Sequence, residues 1–445
     1  MSPTAVGFLG MAALFALLAL RMPVGIAMLA VGVVGFGALN GWNAALATLG
    51  QMPFEYSRTF DLSVIPLFVL MGNLCSASGA SRDLYRLAYA CVGHWRGGLA
   101  SASVGACACF AAVSGSSLAT AVTLGTVALP EMKRYRYDPR LATGAVAAGG
   151  TLGILIPPST GFIVYALLTE QSIGKLFLAG FLPGLLLTAL FMATIALVTW
   201  RHPEYGPRGE RASWPERIAA FAGASGMLAV AIISIGGIYV GAFTATEAAA
   251  VGAFLAFLLA GWRALRPARD PGAALARLAG TTWTALLDTL RTTAMVFLIL
   301  IGAQIFTPFL AVTQIPADLA GLLTGLAVSP LAVLVCLLAI YIVLGMFMEG
   351  FAMLVLTLPI VFPIVSQLGF DPIWFGVIMV IVLEMGLITP PVGMNVYVVK
   401  GIAGDVPMAR IFEGVMPFLV AMIVCIALLI AFPQIALFLP QTMIR

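Results

Sequence analysis

At 445 residues, 62% hydrophobic and only 9% charged, with a mean hydropathy of +1.08, the chain carries more apolar surface than a soluble core can bury. It reads as an integral membrane protein in a lipid bilayer, with no polar loop longer than about 17 residues to hold a soluble domain. The net charge of +4 comes from loop arginines and gives no indication of nucleic-acid binding.

In chain order, apolar segments fall at 4–20, 24–39 and 62–80. Residues 1–20 lack a basic leader region and read as a first span rather than a cleaved signal. Residues 97–130 then run 34 positions without a charge. As one helix they would be about 50 Å long, too long for one crossing of a core of about 30 Å and too short for two. Ser114-Gly115-Ser116-Ser117 near the middle suits a reversal followed by a helix N-cap. A re-entrant hairpin with its tip at SGSS is expected, packed in protein or facing a polar cavity.

A broken span follows at 141–168. Pro157 and Pro158 have no N–H, so the carbonyls of Gly153 and Ile154 lose their helical donors. Ile156 and Pro157, each before a proline, are pushed out of the α region. Carbonyls freed in mid-membrane call for a partner, and a desolvated cation is the natural one. A span at 176–199 leads to a proline-rich polar loop, 201–217. Next come 218–240, 248–262, an amphipathic stretch near 273–291, a span at 292–312, an apolar run at 319–363 broken only by Glu349, and segments 372–399 and 411–432. The stretches near 40–60 and 271–291 have the character of helices lying in the membrane surface or holding a partner subunit. Trp42, Trp95, Trp262 and Trp374 sit near span ends, as interfacial aromatics do. Asp61, Asp288 and Arg291 read there as interfacial anchors.

The chain repeats itself. A shift of 233 positions aligns Pro130 with Pro363, Asp138-Pro139 with Asp371-Pro372, Gly153 with Gly386, and Pro157-Pro158 with Pro390-Pro391. The second break, Gly386-Leu-Ile-Thr-Pro-Pro391, should free the carbonyls of Gly386 and Leu387 in the same way. Charge then separates the halves. Residues 131–140 carry Lys133, Arg134, Arg136 and Arg140, and residues 81–96 carry Arg82, Arg86 and Arg96; their counterparts 364–373 and 314–329 carry no Lys or Arg. By the positive-inside rule the first hairpin enters from the cytoplasm and the second from the opposite side. The expected architecture is all-α: an inverted repeat of five transmembrane helices plus one re-entrant hairpin each, with both termini outside. The first repeat covers 1–200 (hairpin 97–130, broken helix 141–168), 201–217 is a cytoplasmic linker, and the second covers 218–445 (hairpin 330–363, broken helix 372–399). Duplicated halves with broken helices point to a secondary transporter.

At SGSSLATA, YDPRLATGAVAAGGTLGILIPPS, SIGKLFLAGFLPG and MGLITPPVGMN the sequence resembles the large membrane subunit of tripartite ATP-independent periplasmic (TRAP) transporters, over nearly its whole length. The resemblance implies an elevator-type transporter of the bacterial inner membrane, with a scaffold and a mobile transport domain. It implies sodium-coupled import of a small carboxylate, a periplasmic substrate-binding protein, and a separate four-helix small membrane subunit. It also implies a first sodium ion (Na+) held by Ser114, Ser117, Gly153, Ile156 and Pro157, and a second by Gly345, Met348, Gly386, Thr389 and Pro390. The second tip, Gly345-Met-Phe-Met-Glu-Gly350, departs from SGSS. Substrate would lie between the tips, where half-helix N-termini favour a carboxylate, with Ser116, Thr120, Ser159, Thr160 and Asn395 as contacts.

Other readings weigh less. A stand-alone sodium/dicarboxylate symporter of related fold is the alternative. An intramembrane enzyme lacks a base: the only histidines, His94 and His202, lie in loops, and there is no HExxH or P-loop motif. The six cysteines lie in apolar segments and read as packing residues. Glu349 is expected to brace a hairpin backbone, and the role of Glu384 stays open.

Overall fold

A computed structural model describes residues 2–265, 271–325 and 329–443, and it is helical throughout apart from turns. Among the described residues seven helices are long and apolar enough to cross a membrane, and the bent pair Pro139–Leu155 and Thr160–Thr169 makes an eighth. One of the seven, Gly350–Gln367, is a hairpin arm, so the expected ten spans are reached only by adding Pro3–Ala19 and Val24–Asn40, 17 residues each, and the second broken helix, Pro372–Gly386 with Met394–Ala403. Two stretches differ from expectation. Residues 271–291 do not form a helix of their own: Pro271–Thr313 is one helix of 43 residues, because no proline interrupts the backbone ladder before Pro308. The basic segment after residue 80 is the helix Ala80–Val92 rather than a loop.

The charge-free stretch doubles back. It forms the helices Gly98–Ser114 and Ser117–Arg134. Leu99 N–H at its start donates to the Tyr137 hydroxyl beyond its end at 3.1 Å, where one straight helix would part them by about 57 Å. Gly115 supplies the left-handed turn at φ +60°, and Ser116 caps the returning arm by accepting from Ala119 N–H at 3.3 Å. In the second half, Pro330–Gly345 and Gly350–Gln367 also reverse, and the Tyr341 hydroxyl donates to Thr357 Oγ1 at 2.5 Å across the two arms. Both returning arms run past the prolines expected to end them, Pro130 and Pro363. Packing holds these helices through a residue that removes a single hydrogen bond.

The helix Pro139–Leu155 lies in the groove between the first hairpin's arms. A Cβ on Gly149 would meet Cys107 Sγ at 2.9 Å on one arm, and a Cβ on Gly150 would meet Ala121 Cβ at 2.8 Å on the other. Its outer face crosses Met408–Ala431 where Gly144 meets Gly414: a Cβ on Gly144 would stand 2.3 Å from the Gly414 carbonyl oxygen. Backbone sits there, not a flexible side chain. Gly144→Ala is therefore expected to lower stability by about 3 kcal/mol through overpacking, read as an earlier melting transition in detergent.

The basic segments meet at one end of the molecule. Gly97 N–H donates to the Gly206 carbonyl at 2.9 Å, Gly209 N–H to Gly93 at 3.0 Å, and the Tyr137 hydroxyl to Pro207 at 2.8 Å. Arg263 pairs with Asp83 at 2.7 Å. At the same end Arg140 bonds Asp138 and the Tyr205 hydroxyl, and lies 3.6 Å from Glu413. Burial works against the Asp138 carboxylate, but the Arg140 hydrogen bonds outweigh it and hold the carboxyl below its usual 3.8. The stabilisation is thus complete above the ordinary aspartate pKa and is lost as pH falls through the depressed one. Arg140→Ala should melt below wild type by a constant margin from about pH 5 to pH 8, with the gap closing in stronger acid.

Candidate functional site

Each hairpin tip rests on the break of the helix that follows it. In the first half Ile156 leaves the helix in extended geometry, the helix restarts at Thr160, and Ser159 caps the restart by accepting from Phe162 N–H at 3.2 Å. The two pieces bend by 40°. The Thr160 hydroxyl donates to the Gly115 carbonyl at 2.8 Å, which fixes tip to break. The approach is close: a Cβ on Gly153 would stand 2.5 Å from the Ser116 carbonyl oxygen, and one on Gly115 2.9 Å from the Pro158 oxygen. In the second half Gly345 and Gly386 touch backbone to backbone, and a Cβ on Gly386 would lie 2.6 Å from Gly345 Cα. The Pro157–Pro158 and Pro390–Pro391 bonds are both cis.

One expectation is corrected. The carbonyls of Gly386 and Leu387 are not both free, since Thr389 N–H donates to the first at 3.2 Å and Asn395 N–H to the second at 3.0 Å. The prolines remove the α-helical donors, but a tightened turn brings Thr389 N–H to Gly386, and the first turn of the helix beyond the break brings Asn395 N–H to Leu387. Each carbonyl oxygen keeps one lone pair.

The residues proposed for the first cation converge. The Thr120 hydroxyl spends its single proton on the Ser116 carbonyl at 2.8 Å, so Ser114 must donate in its own 2.8 Å contact with Thr120. Ser117 donates to Glu384 Oε2 at 2.5 Å. The Ile156 side chain packs on Gly184, leaving its backbone oxygen as its polar contribution. Pro157 is buried beside it. In the second set Thr389 donates to the Met385 carbonyl at 2.6 Å, Met348 is half-buried against the apolar core, and Pro390 is half-buried. Both sets offer neutral hydroxyl and carbonyl oxygens in a cradle that a Cβ would fill, a chemistry suited to a hard monovalent cation.

The five substrate candidates divide. Ser116 and Ser159 are engaged as caps, and Thr120 and Thr160 tie down the tip. Asn395 is different: it is 0% exposed, it follows the second break, and neither Oδ1 nor Nδ2 has a partner. A buried amide with both ends unsatisfied is costly unless a ligand completes it.

A cavity of about 560 Å³ lies before the tips. Ser114, Ser116, Thr160 and Glu349 line one side, and Asn73 and Thr292 the other. Asn73 Nδ2 donates to Thr289 Oγ1 at 3.0 Å. Sequence reasoning missed Asn73 and Thr292, because a single polar residue in an apolar helix carries no motif. The Glu349 carboxylate caps the second tip's returning arm, accepting from Ala352 N–H at 3.0 Å, as its position suggested. The partner of Glu384, Ser117 in the other half, could not be read from spacing.

Comparison with known proteins bears on the family and the fold. The family model "Tripartite ATP-independent periplasmic transporter, DctM component" matches residues 11–435. The C4-dicarboxylate TRAP transporter large permease protein DctM of Pseudomonas aeruginosa is 40% identical over 87% of this chain and 88% of its own. The isethionate TRAP transporter permease protein DctMQ of Oleidesulfovibrio alaskensis is 33% identical over 96% of this chain but only 65% of its own. Among solved structures, the Alcanivorax borkumensis YdaH transporter superposes with a TM-score of 0.62 at 16% identity, over 89% of this chain and 90% of that one, a likeness of fold. These relatives are transport proteins, not enzymes, and the chain belongs to the DctM component family of tripartite ATP-independent periplasmic transporters.

Proposed function

We propose that the chain is the large permease subunit of a sodium-coupled importer of small organic acids in the bacterial inner membrane. The observation that carries this reading is the contact of a hairpin tip with a proline break in each half. Sodium would sit at each contact: Ser114, Ser117, Gly153, Ile156 and Pro157 hold the first, and Gly345, Met348, Gly386, Thr389 and Pro390 the second. Bound sodium supplies the positive charge that orders both tips. Ser116 and Ser159 cap helix N-termini whose dipoles favour a carboxylate, and Asn395 donates Nδ2–H to it. The relative named for C4-dicarboxylates favours that substrate class.

In this reading the halves 1–200 and 218–445 are inverted copies joined by the cytoplasmic segment 201–217. The hairpins and broken helices form the transport domain and move as a body against a scaffold of the remaining spans. The tripartite family description and the longer DctMQ relative support a separate small membrane subunit and a periplasmic binding protein as partners. The test is uptake of labelled succinate into proteoliposomes holding both membrane subunits, with binding protein outside. Uptake should require an inward sodium gradient and the binding protein. Equal uptake with choline in place of sodium would reject the coupling. Uptake without binding protein would favour the stand-alone symporter.

A further inference from the structure

Among the described residues, Glu384 is the one carboxylate with a hydrogen bond from one tip–break junction to the other. It lies on Pro372–Gly386, two residues before Gly386, and its own carbonyl accepts from Leu387 N–H at 3.2 Å as the second break opens. Its side chain crosses to the first half, where Oε2 accepts the Ser117 proton at 2.5 Å, and it is 2% exposed. Ser117 is 1% exposed and begins the first hairpin's returning arm. Water competes little for this bond, so it is strong and directional. The other carboxylate beside the same small cavity, Glu349, is held by Ala352 N–H on its own tip.

We infer that Glu384 is a positioning residue that couples the two cation sites, a step that rests on the sodium reading above. The Ser117 hydroxyl has one proton, and Glu384 takes it. Both oxygen lone pairs then point away from the carboxyl group, free for a cation. A cation on Ser117 fixes the hydroxyl, the hydroxyl fixes Glu384, and Glu384 fixes the last turn before Gly386. Occupancy of the first site therefore shapes the second, and by linkage the second strengthens the first to the same degree. The two sodium ions bind cooperatively through one hydrogen bond between residues that are 267 positions apart in sequence.

The experiment is a titration of the purified two-subunit membrane complex with sodium chloride against choline chloride at constant ionic strength, followed by melting temperature. Wild type should give a sigmoidal sodium response. Glu384→Gln keeps the shape but has a weaker acceptor and a competing N–H donor, which loosens the Ser117 bond; its half-saturating sodium concentration should rise about tenfold and its Hill slope fall toward one. If that variant is too unstable to purify, Leu118→Cys, at a 37% exposed position on the same tip, reports in membranes, with exposed Cys91 and Cys336 replaced by serine. Sodium should slow maleimide labelling of this cysteine, and Glu384→Gln should shift that protection to higher sodium with a shallower slope. An unchanged midpoint and slope in Glu384→Gln overturns the coupling alone. A wild-type complex that ignores sodium overturns the sodium reading, and the coupling with it.

Discussion

Gly153→Ala is expected to reduce sodium-driven uptake by about 100-fold or more while the protein still inserts and folds. The added carbon would stand 2.5 Å from the Ser116 carbonyl oxygen, 2.7 Å from the carbonyl carbon and 2.7 Å from the Thr120 hydroxyl. Two of those atoms are backbone at the hairpin tip, so no side-chain rotation relieves the clash. The tip has to retreat from the break by about an ångström, and misplacement of that size costs orders of magnitude where geometry sets function. It is also large against the tolerance of a cation's coordination shell. Gly401→Ala is the matched control, since its Cβ would meet nothing within 4 Å and it lies in the half-helix Met394–Ala403 beyond the second break. Uptake in proteoliposomes, normalised to inserted protein, checks the pair. Equal activity in the two variants would show that the tip does not need its present seat.

Asn395→Leu should separate function from stability in the opposite sense to a core mutation. The amide is wholly buried and both its polar atoms lack partners, so the folded chain carries the desolvation cost without the return. An apolar side chain of similar volume removes that cost, and the detergent melting temperature should hold or rise. Uptake should fall by about 100-fold, because the substrate loses a buried hydrogen-bond partner. A variant that melts well below wild type would place Asn395 among the packing residues and remove it from the substrate site.

Much of this molecule was legible in sequence because the bilayer leaves few options. A charge-free run too long for one crossing and too short for two had to fold back, and Gly115 with Ser116 marked where. Paired prolines had to break a helix, whatever surrounds them, because they lack the N–H that the ladder needs. Tertiary structure decided what each freed group then met. Thr389 N–H found the Gly386 carbonyl through a tightened turn and Asn395 N–H found the Leu387 carbonyl from beyond the break, neither of which proline chemistry alone dictates. The passage of helices through Pro130 and Pro363 was likewise settled by packing, which outweighs the loss of one hydrogen bond. The bond from Ser117 to Glu384 and the unsatisfied amide of Asn395 belong to the same class: both depend on which surfaces meet across halves distant in sequence, and spacing along a chain carries no record of that.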